Sequence, residues 1–252
     1  MGVVYIGDRN VGKTHLAVEL AKPPGNFVSV SLLNQSYEDL RDILLELDGT
    51  ARQTKTIDTR FLDVQVRLPA GASQIPVDWI DPPGEIFRKS WQSSPSHTDE
   101  WNNFLKRVRQ SDGILLILAP YREIVKSDPD VNYDEYVTQQ QWCNRFDRWV
   151  DFFRNDCPKA RQIVICLNKA DLINCDLDQE ASKLAYDPYD SKMNWFGRHN
   201  YVMTRYFRPV LEQIGQINSS RSGLSVRCFI TSIHNRTLLE LPWIYLASYL
   251  AT

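Results

Sequence analysis

The sequence predicts an α/β fold: a mostly parallel six-stranded sheet with one antiparallel edge strand and helices on both faces. Three observations predict it. The chain opens on a short β-branched and aromatic run, Val3-Val4-Tyr5-Ile6, which passes through a glycine-flanked loop into a segment with helical apolar spacing. Residues 113–119 and 161–167 are near-continuous apolar runs of strand length, as strands buried on both faces are. Strand-like and helix-like segments alternate along the rest of the chain, the pattern of right-handed parallel crossovers.

Taken in order, the first helix is expected over residues 13–22, stopped by Pro23-Pro24-Gly25. A short extended piece, 27–33, precedes a helical insertion at about 34–50. There Ser36, Glu38 and Asp39 mark a helix start, and Leu40, Ile43, Leu44 and Leu47 recur at helical spacing until Gly49. After a polar loop, 50–58, residues 61–68 alternate as a half-buried strand does. The turn Pro69-Ala70-Gly71-Ala72 leads to a second strand over 76–80, and so short a connection makes an antiparallel pair. Asp81-Pro82-Pro83-Gly84 and a loop rich in Ser and Trp follow, then a helix over 99–109 capped near Ser96. Beyond the strand at 113–119, a polar segment, 121–133, precedes an aromatic-rich helix over 134–153. The strand at 161–167 ends in Asn168-Lys169-Ala170-Asp171. Residues 172–188 read as loop with one short helix. An extended helical region at about 186–217 contains a long helix, 191–217, interrupted at Gly197 and Pro209. Residues 225–230 are the last strand and 238–250 the closing helix, with Pro242 near its first turn. There is no internal repeat, and 1–252 is expected to be a single domain.

A chain of 252 residues can bury a substantial core. Its formal charge of −2 gives no reason to invoke nucleic acid or an acidic membrane surface. The five cysteines are odd in number and lack C-x-x-C spacing, so they read as reduced thiols, with Cys166 and Cys228 in core strands. No signal-peptide pattern and no transmembrane segment of about 18 apolar residues occurs, so the expected location is cytoplasmic. The first strand begins almost at Met1, which fits an excised domain and a chain with nothing upstream equally well.

The chemistry begins at Gly7-Asp8-Arg9-Asn10-Val11-Gly12-Lys13-Thr14. Strand, loop and helix in this order, with glycine first and sixth and Lys-Thr last, match the P-loop pattern, a ring of backbone N–H groups around phosphate oxygens. Gly7 and Gly12 are expected where a side chain would block the backbone's approach to phosphate, Lys13 reaches the β and γ phosphates, and the Thr14 hydroxyl ligates Mg²⁺. Asp8, Arg9, Asn10, Val11 and His15 complete the expected nucleotide contacts, although His15 also reads as locally packed. Asp81 is a candidate Mg²⁺ ligand, and Gly84 lets a backbone N–H approach the γ phosphate. In Asn168-Lys169-Ala170-Asp171, residues Asn168, Lys169 and Asp171 are expected to recognise guanine: the carboxylate of Asp171 can accept both its N1–H and its exocyclic amine, a donor pair that adenine does not present. After the last strand, backbone N–H groups at Ser232 and Ile233 can meet the guanine carbonyl. Each of these loops follows a strand's C-terminal end, so they are expected to converge.

In these motifs the chain resembles the Ras-like, translation-factor-related class of P-loop GTPases, over essentially its whole length. GDRNVGKT and NKAD carry most of that resemblance, DPPG less, and TSI least. It also resembles bacterial double-GTPase domains of conflict and defence gene clusters, in the inserted helix, the Asp-Pro-Pro-Gly-Glu string and the aromatic C-terminal helix. The resemblance implies GTP and GDP binding, Mg²⁺, slow hydrolysis, and a molecular switch that engages an unidentified effector or co-encoded partner through two mobile loops. It also implies a switch threonine as a metal ligand, for which Thr54 and Thr56 are candidates and Thr59 a weaker one. Where such enzymes often carry glutamine after the D-x-x-G glycine, this chain has Glu85, a carboxylate repelled by the γ phosphate unless protonated or turned away. Arg9 either stabilises transition-state charge in cis or points to solvent; Arg52 and Arg60 are rival arginines. Lys13, Glu85 and Arg9 are therefore the candidate catalytic residues. The competing readings are a GTPase-fold scaffold with structural nucleotide, supported by Glu85, and an ATPase, which Asp171 argues against.

His97, His199 and His234 show no metal spacing and read as surface groups. Trp142, Phe146, Trp149, Phe152 and Phe153 recur at helical spacing and read as core. Trp91 and Trp101 follow the γ-phosphate-sensing loop and are candidates for partner contact.

Overall fold

The computed structural model describes residues 2–8, 10–31, 37–52, 58–81, 97–189 and 193–250, without the side chains of Asp58, Thr59 and Asp81. Its strands are β1 (Val3–Gly7), β2 (Val28–Ser31), β3 (Asp58–Leu68), β4 (Gly71–Asp81), β5 (Gly113–Leu118), β6 (Gln162–Leu167) and β7 (Ser225–Ile230). They form one seven-stranded sheet in the order β2-β3-β4-β1-β5-β6-β7. Every pairing is parallel except those of β3 with β2 and β4. The expected fold class holds, with seven strands in place of six. The extra one is the short extended piece, whose Val28 and Val30 line up with Val66 and Val64 of β3. Four residues are too few to identify a strand by periodicity, and pairing with β3 decides their state.

The β3–β4 hairpin is longer than expected because its turn is only Pro69-Ala70: Leu68 pairs with Gly71, whose φ of 131° lets β4 start at once. β1, β5 and β6 are buried at every residue, as their apolar runs predict.

The helices are α1 (Lys13–Ala21), α2 (Tyr37–Leu44), α3 (Thr98–Gln110), α4 (Gln139–Asn155), α5 (Leu177–Leu184), α6 (Trp195–Tyr206), α7 (Leu211–Ser219) and α8 (Arg236–Leu250). α8 crosses one face of the sheet, where Trp243 meets Tyr5 of β1 at a ring separation of 6.2 Å. α3 and α4 pack together through Phe104 and Phe152, 6.0 Å apart. The aromatic residues of α4 are buried as expected. α4 starts later than its apolar pattern suggests because Thr138 and Gln141 form a capping box, leaving Tyr133–Glu135 as a separate 3-10 turn. The long helix at 191–217 is two helices, α6 and α7, divided by a 3-10 turn at Arg208–Val210 that contains Pro209. α2 stops before Leu47, which is fully exposed. Pro242 lies inside α8, because that helix begins at Arg236. The expected cap at Ser96 lies outside the described residues.

A buried ion pair ties α8 to α1. Arg236 donates to the carbonyl oxygens of Glu19 (2.6 Å), Leu20 (3.0 Å) and Lys22 (3.2 Å), closing the end of α1, and to Val28 O (3.0 Å). Its partner Glu240, 1 % exposed, lies 2.5 Å from Arg236 Nε and accepts the N–H groups of Asn26 and Phe27. All five cysteines are free, and Cys166 and Cys228 are buried in β6 and β7. Among the described residues no helix is long and apolar enough to cross a membrane.

Candidate functional site

The strand order places the change of direction at β1, with β4 on one side and β5 on the other. Ligands in such sheets sit outside the carboxyl ends of the strands at that point. There the chain leaves β1 at Gly7, turns through Asn10 (φ 61°) and Gly12 (φ 87°), and enters α1 at Lys13. The first N–H groups of a helix have no intrahelical acceptor and form its positive end, so this loop faces any ligand with donors. Lys13, only 6 % exposed, donates from Nζ to Gly7 O (3.0 Å) and Asp8 O (2.9 Å), which holds an ammonium over the loop. Tyr5 Oη donates to Lys13 O at 3.0 Å and fixes the loop from beneath. Thr14 follows, also buried.

Both loop glycines are required by neighbours in the protein itself. A Cβ on Gly7 would lie 2.4 Å from Ile117 O, and one on Gly12 would lie 2.6 Å from Asn168 Nδ2. Half-buried Asp8 points towards α4. Burial raises its carboxyl above the ordinary value, opposed by the charges of Arg148, Arg145 and Lys13.

Asn168, at the end of β6 and 3 % exposed, is the hub of the site. Its Nδ2 donates to Val11 O in the loop (2.8 Å), and its Oδ1 accepts from Thr231 Oγ1 beyond β7 (3.2 Å). Its backbone N–H donates to Leu118 O at 2.8 Å, so three strand ends meet on one residue. Lys169 follows in the left-handed region at φ 59°, and Ala170 N–H then donates to Thr231 O (3.0 Å). Asp171 accepts from Ser232 Oγ at 2.5 Å, while Ser232 Oγ accepts from His234 N–H at 3.1 Å.

The structure thus gathers Gly7, Asp8, Asn10, Val11, Gly12, Lys13 and Thr14 with Asn168, Lys169, Asp171 and Ser232 at one edge of the sheet. Ile233 follows Ser232 and packs partly against the core. His15 turns to Gly49 O, 3.0 Å away, in line with local packing. Asp81 ends β4, beside β1 in parallel register. Its side chain lies outside the described residues, as do Arg9, Thr54, Thr56, Gly84, Glu85 and Trp91. Trp101 stacks on Phe104 at 5.4 Å and packs partly on the core.

One expectation fails. His199 is not a surface group: it is 7 % exposed, and its Nδ1 accepts the Cys228 N–H of β7 at 3.0 Å. Burial, aided by the charge of Arg227, pushes its pKa down to about 4. Its neighbours Arg198 and Asn200 make the segment look solvated, but α6 lies along the free edge of β7, where Asn218 likewise accepts Val226 N–H (3.0 Å). Tyr5, Tyr136, Arg145 and Arg148 also approach the site without a sequence signal. Tyr5 looks like any strand residue, and the other three lie far along the chain from the motifs they reach.

Strand order, loop and helix together decide the class. This is a P-loop α/β fold. No protein-family model matches the sequence, and no curated protein does. Among solved structures, a GTP-binding protein from the hyperthermophilic archaeon Sulfolobus solfataricus, in complex with GDP, is similar at TM-score 0.47 and 15% identity, over 99% of this chain and 53% of that one. A mutation variant of SsGBP is similar at TM-score 0.44 and 15% identity, over 98% and 56%. This chain spans about half the length of those proteins.

Proposed function

We propose that this chain is one nucleotide-binding domain that takes guanine nucleotide with Mg²⁺, hydrolyses GTP slowly and works as a conformational switch. The observation that carries the reading is the position of Asn168, hydrogen-bonded to the phosphate loop through Val11 and to the last loop through Thr231. That hub puts Asp171 and the Lys13 ammonium on one continuous edge. A loop of this kind alone serves any nucleoside triphosphate; Asp171 selects guanine by accepting its N1–H and exocyclic amine. Ser232, hydrogen-bonded to one oxygen of Asp171, orients that carboxylate.

Lys13 and the first N–H groups of α1 bind the β and γ phosphates. The donors expected for the metal, the Thr14 hydroxyl and the Asp81 carboxylate, are hard oxygens that suit Mg²⁺. Thr54 or Thr56 would complete the set. Mg²⁺ supplies charge neutralisation at the phosphates. Gly84 senses the γ phosphate, and hydrolysis is an in-line attack by water favoured by positioning and electrostatics. With Glu85 following the D-x-x-G glycine in place of glutamine, and Arg9 as a candidate in-cis charge besides Lys13, turnover is slow until a protein partner engages the two switch segments.

The test is a base swap. Xanthine carries a carbonyl where guanine carries the exocyclic amine, so Asp171→Asn is expected to weaken GDP and strengthen xanthosine diphosphate in calorimetric titrations. A variant that keeps wild-type preference for GDP contradicts the role of Asp171. Single-turnover hydrolysis of GTP, with and without Mg²⁺, tests the catalytic part.

A further inference from the structure

The segment between β5 and α4 is built against the residues that follow Asp171. Val125 and Ile173 form an antiparallel bridge, Lys126 N–H donates to Leu172 O (2.8 Å), and Asn174 N–H donates to Ile124 O (3.0 Å). Within the segment, Arg122 N–H donates to Val137 O (2.8 Å) and Arg122 Nε to Tyr136 O (3.1 Å). These bonds hold the Tyr136 ring, 5 % exposed, with its face towards Lys169, whose Nζ lies 5.3 Å from the ring centroid. Tyr136 and Lys169 share a cavity of about 60 Å³ with Asp8, Asn10 and Val11 of the phosphate loop.

An aromatic face attracts an ammonium, more strongly when water is excluded. Lysine has no intrinsic preference for the left-handed backbone it adopts here, and such a residue persists only where its surroundings hold it. Lys169 begins the turn, Lys169-Ala170, that joins Asn168, which grips the loop, to Asp171, which would accept from the base. Holding its side chain therefore holds the turn that aims Asn168 and Asp171.

We propose that Tyr136 is a positioning residue of the nucleotide site: its ring fixes the Lys169 ammonium, and through it the turn that presents Asn168 and Asp171. This inference rests on the guanine-nucleotide reading. The phenol hydroxyl is not needed for it, since the ring face makes the contact.

GDP titration of the full chain by calorimetry tests it. Tyr136→Leu weakens GDP about 3- to 10-fold, whereas Tyr136→Phe stays within about twofold of wild type. Lys169→Met removes the charge but leaves the buried ring, and it weakens GDP at least as much; where the Tyr136→Leu chain does not fold, Tyr136→Met, flexible enough to fill the same space without a ring face, is measured in its place. In a Lys169→Met background the further loss from Tyr136→Leu disappears, which a merely structural tyrosine would not produce. Wild-type binding with an indifferent Tyr136→Leu, or a loss undiminished in the double variant, overturns this inference alone. A wild-type chain that binds no GDP overturns the guanine reading and this inference together.

Discussion

Replacing Asn168 by alanine breaks the site at its hub, and the cost can be worked out without any nucleotide. The change deletes the donor to Val11 O and the acceptor for Thr231 Oγ1. It leaves a buried carbonyl and a buried hydroxyl without partners, each costing about 1–2 kcal/mol. The total loss is about 2–4 kcal/mol, which for a chain of this size lowers Tm by about 4–16 °C. Asn168→Asp keeps the acceptor, loses the donor and sets a carboxylate oxygen against Val11 O, so it should be no better than alanine. Urea and thermal melts followed by tryptophan fluorescence measure both variants against wild type. Unchanged midpoints for Asn168→Ala would refute the hub as an energetic link and leave it a mere proximity.

Two further outcomes follow from the same reasoning. His199 titrates near 4 when folded and near 6.5 when unfolded, so the unfolded chain takes up the proton first as pH falls. Its stability contribution is fully present above pH 6.5 and is lost towards pH 4, by about 3 kcal/mol, and His199→Asn should flatten that part of a urea-midpoint profile measured from pH 4 to 7. Arg236→Ala strands the Glu240 carboxylate in the core, a loss of about 3–5 kcal/mol readable in the same melts, and Glu240→Gln in that background should recover part of it.

The central strands and the loop between β1 and α1 were legible because their signals are local. Apolar runs of strand length at 113–119 and 161–167 read as buried strands, and glycine, lysine and threonine at fixed spacing between a strand and a helix mark a phosphate-type loop. What could not be read was set by contacts between distant segments. Val28–Ser31 became a strand because β3 offered an edge, the start of α4 was decided by the Thr138–Gln141 box, and His199 lost its water to a helix lying on β7. The glycines illustrate the division. Their positions were expected for phosphate access, but Gly7 and Gly12 are also excluded from bearing a side chain by Ile117 O and Asn168, neighbours that only folding supplies. Tyr136 belongs to the same class: nothing in its sequence surroundings points to Lys169.

Selection of guanine by Asp171 is tested most directly by paired titrations of the purified full chain with GDP and ADP in the presence of Mg²⁺. Saturable GDP binding, with ADP at least a hundredfold weaker, is the predicted result. Equal affinity for the two nucleotides, or binding of neither, would contradict it.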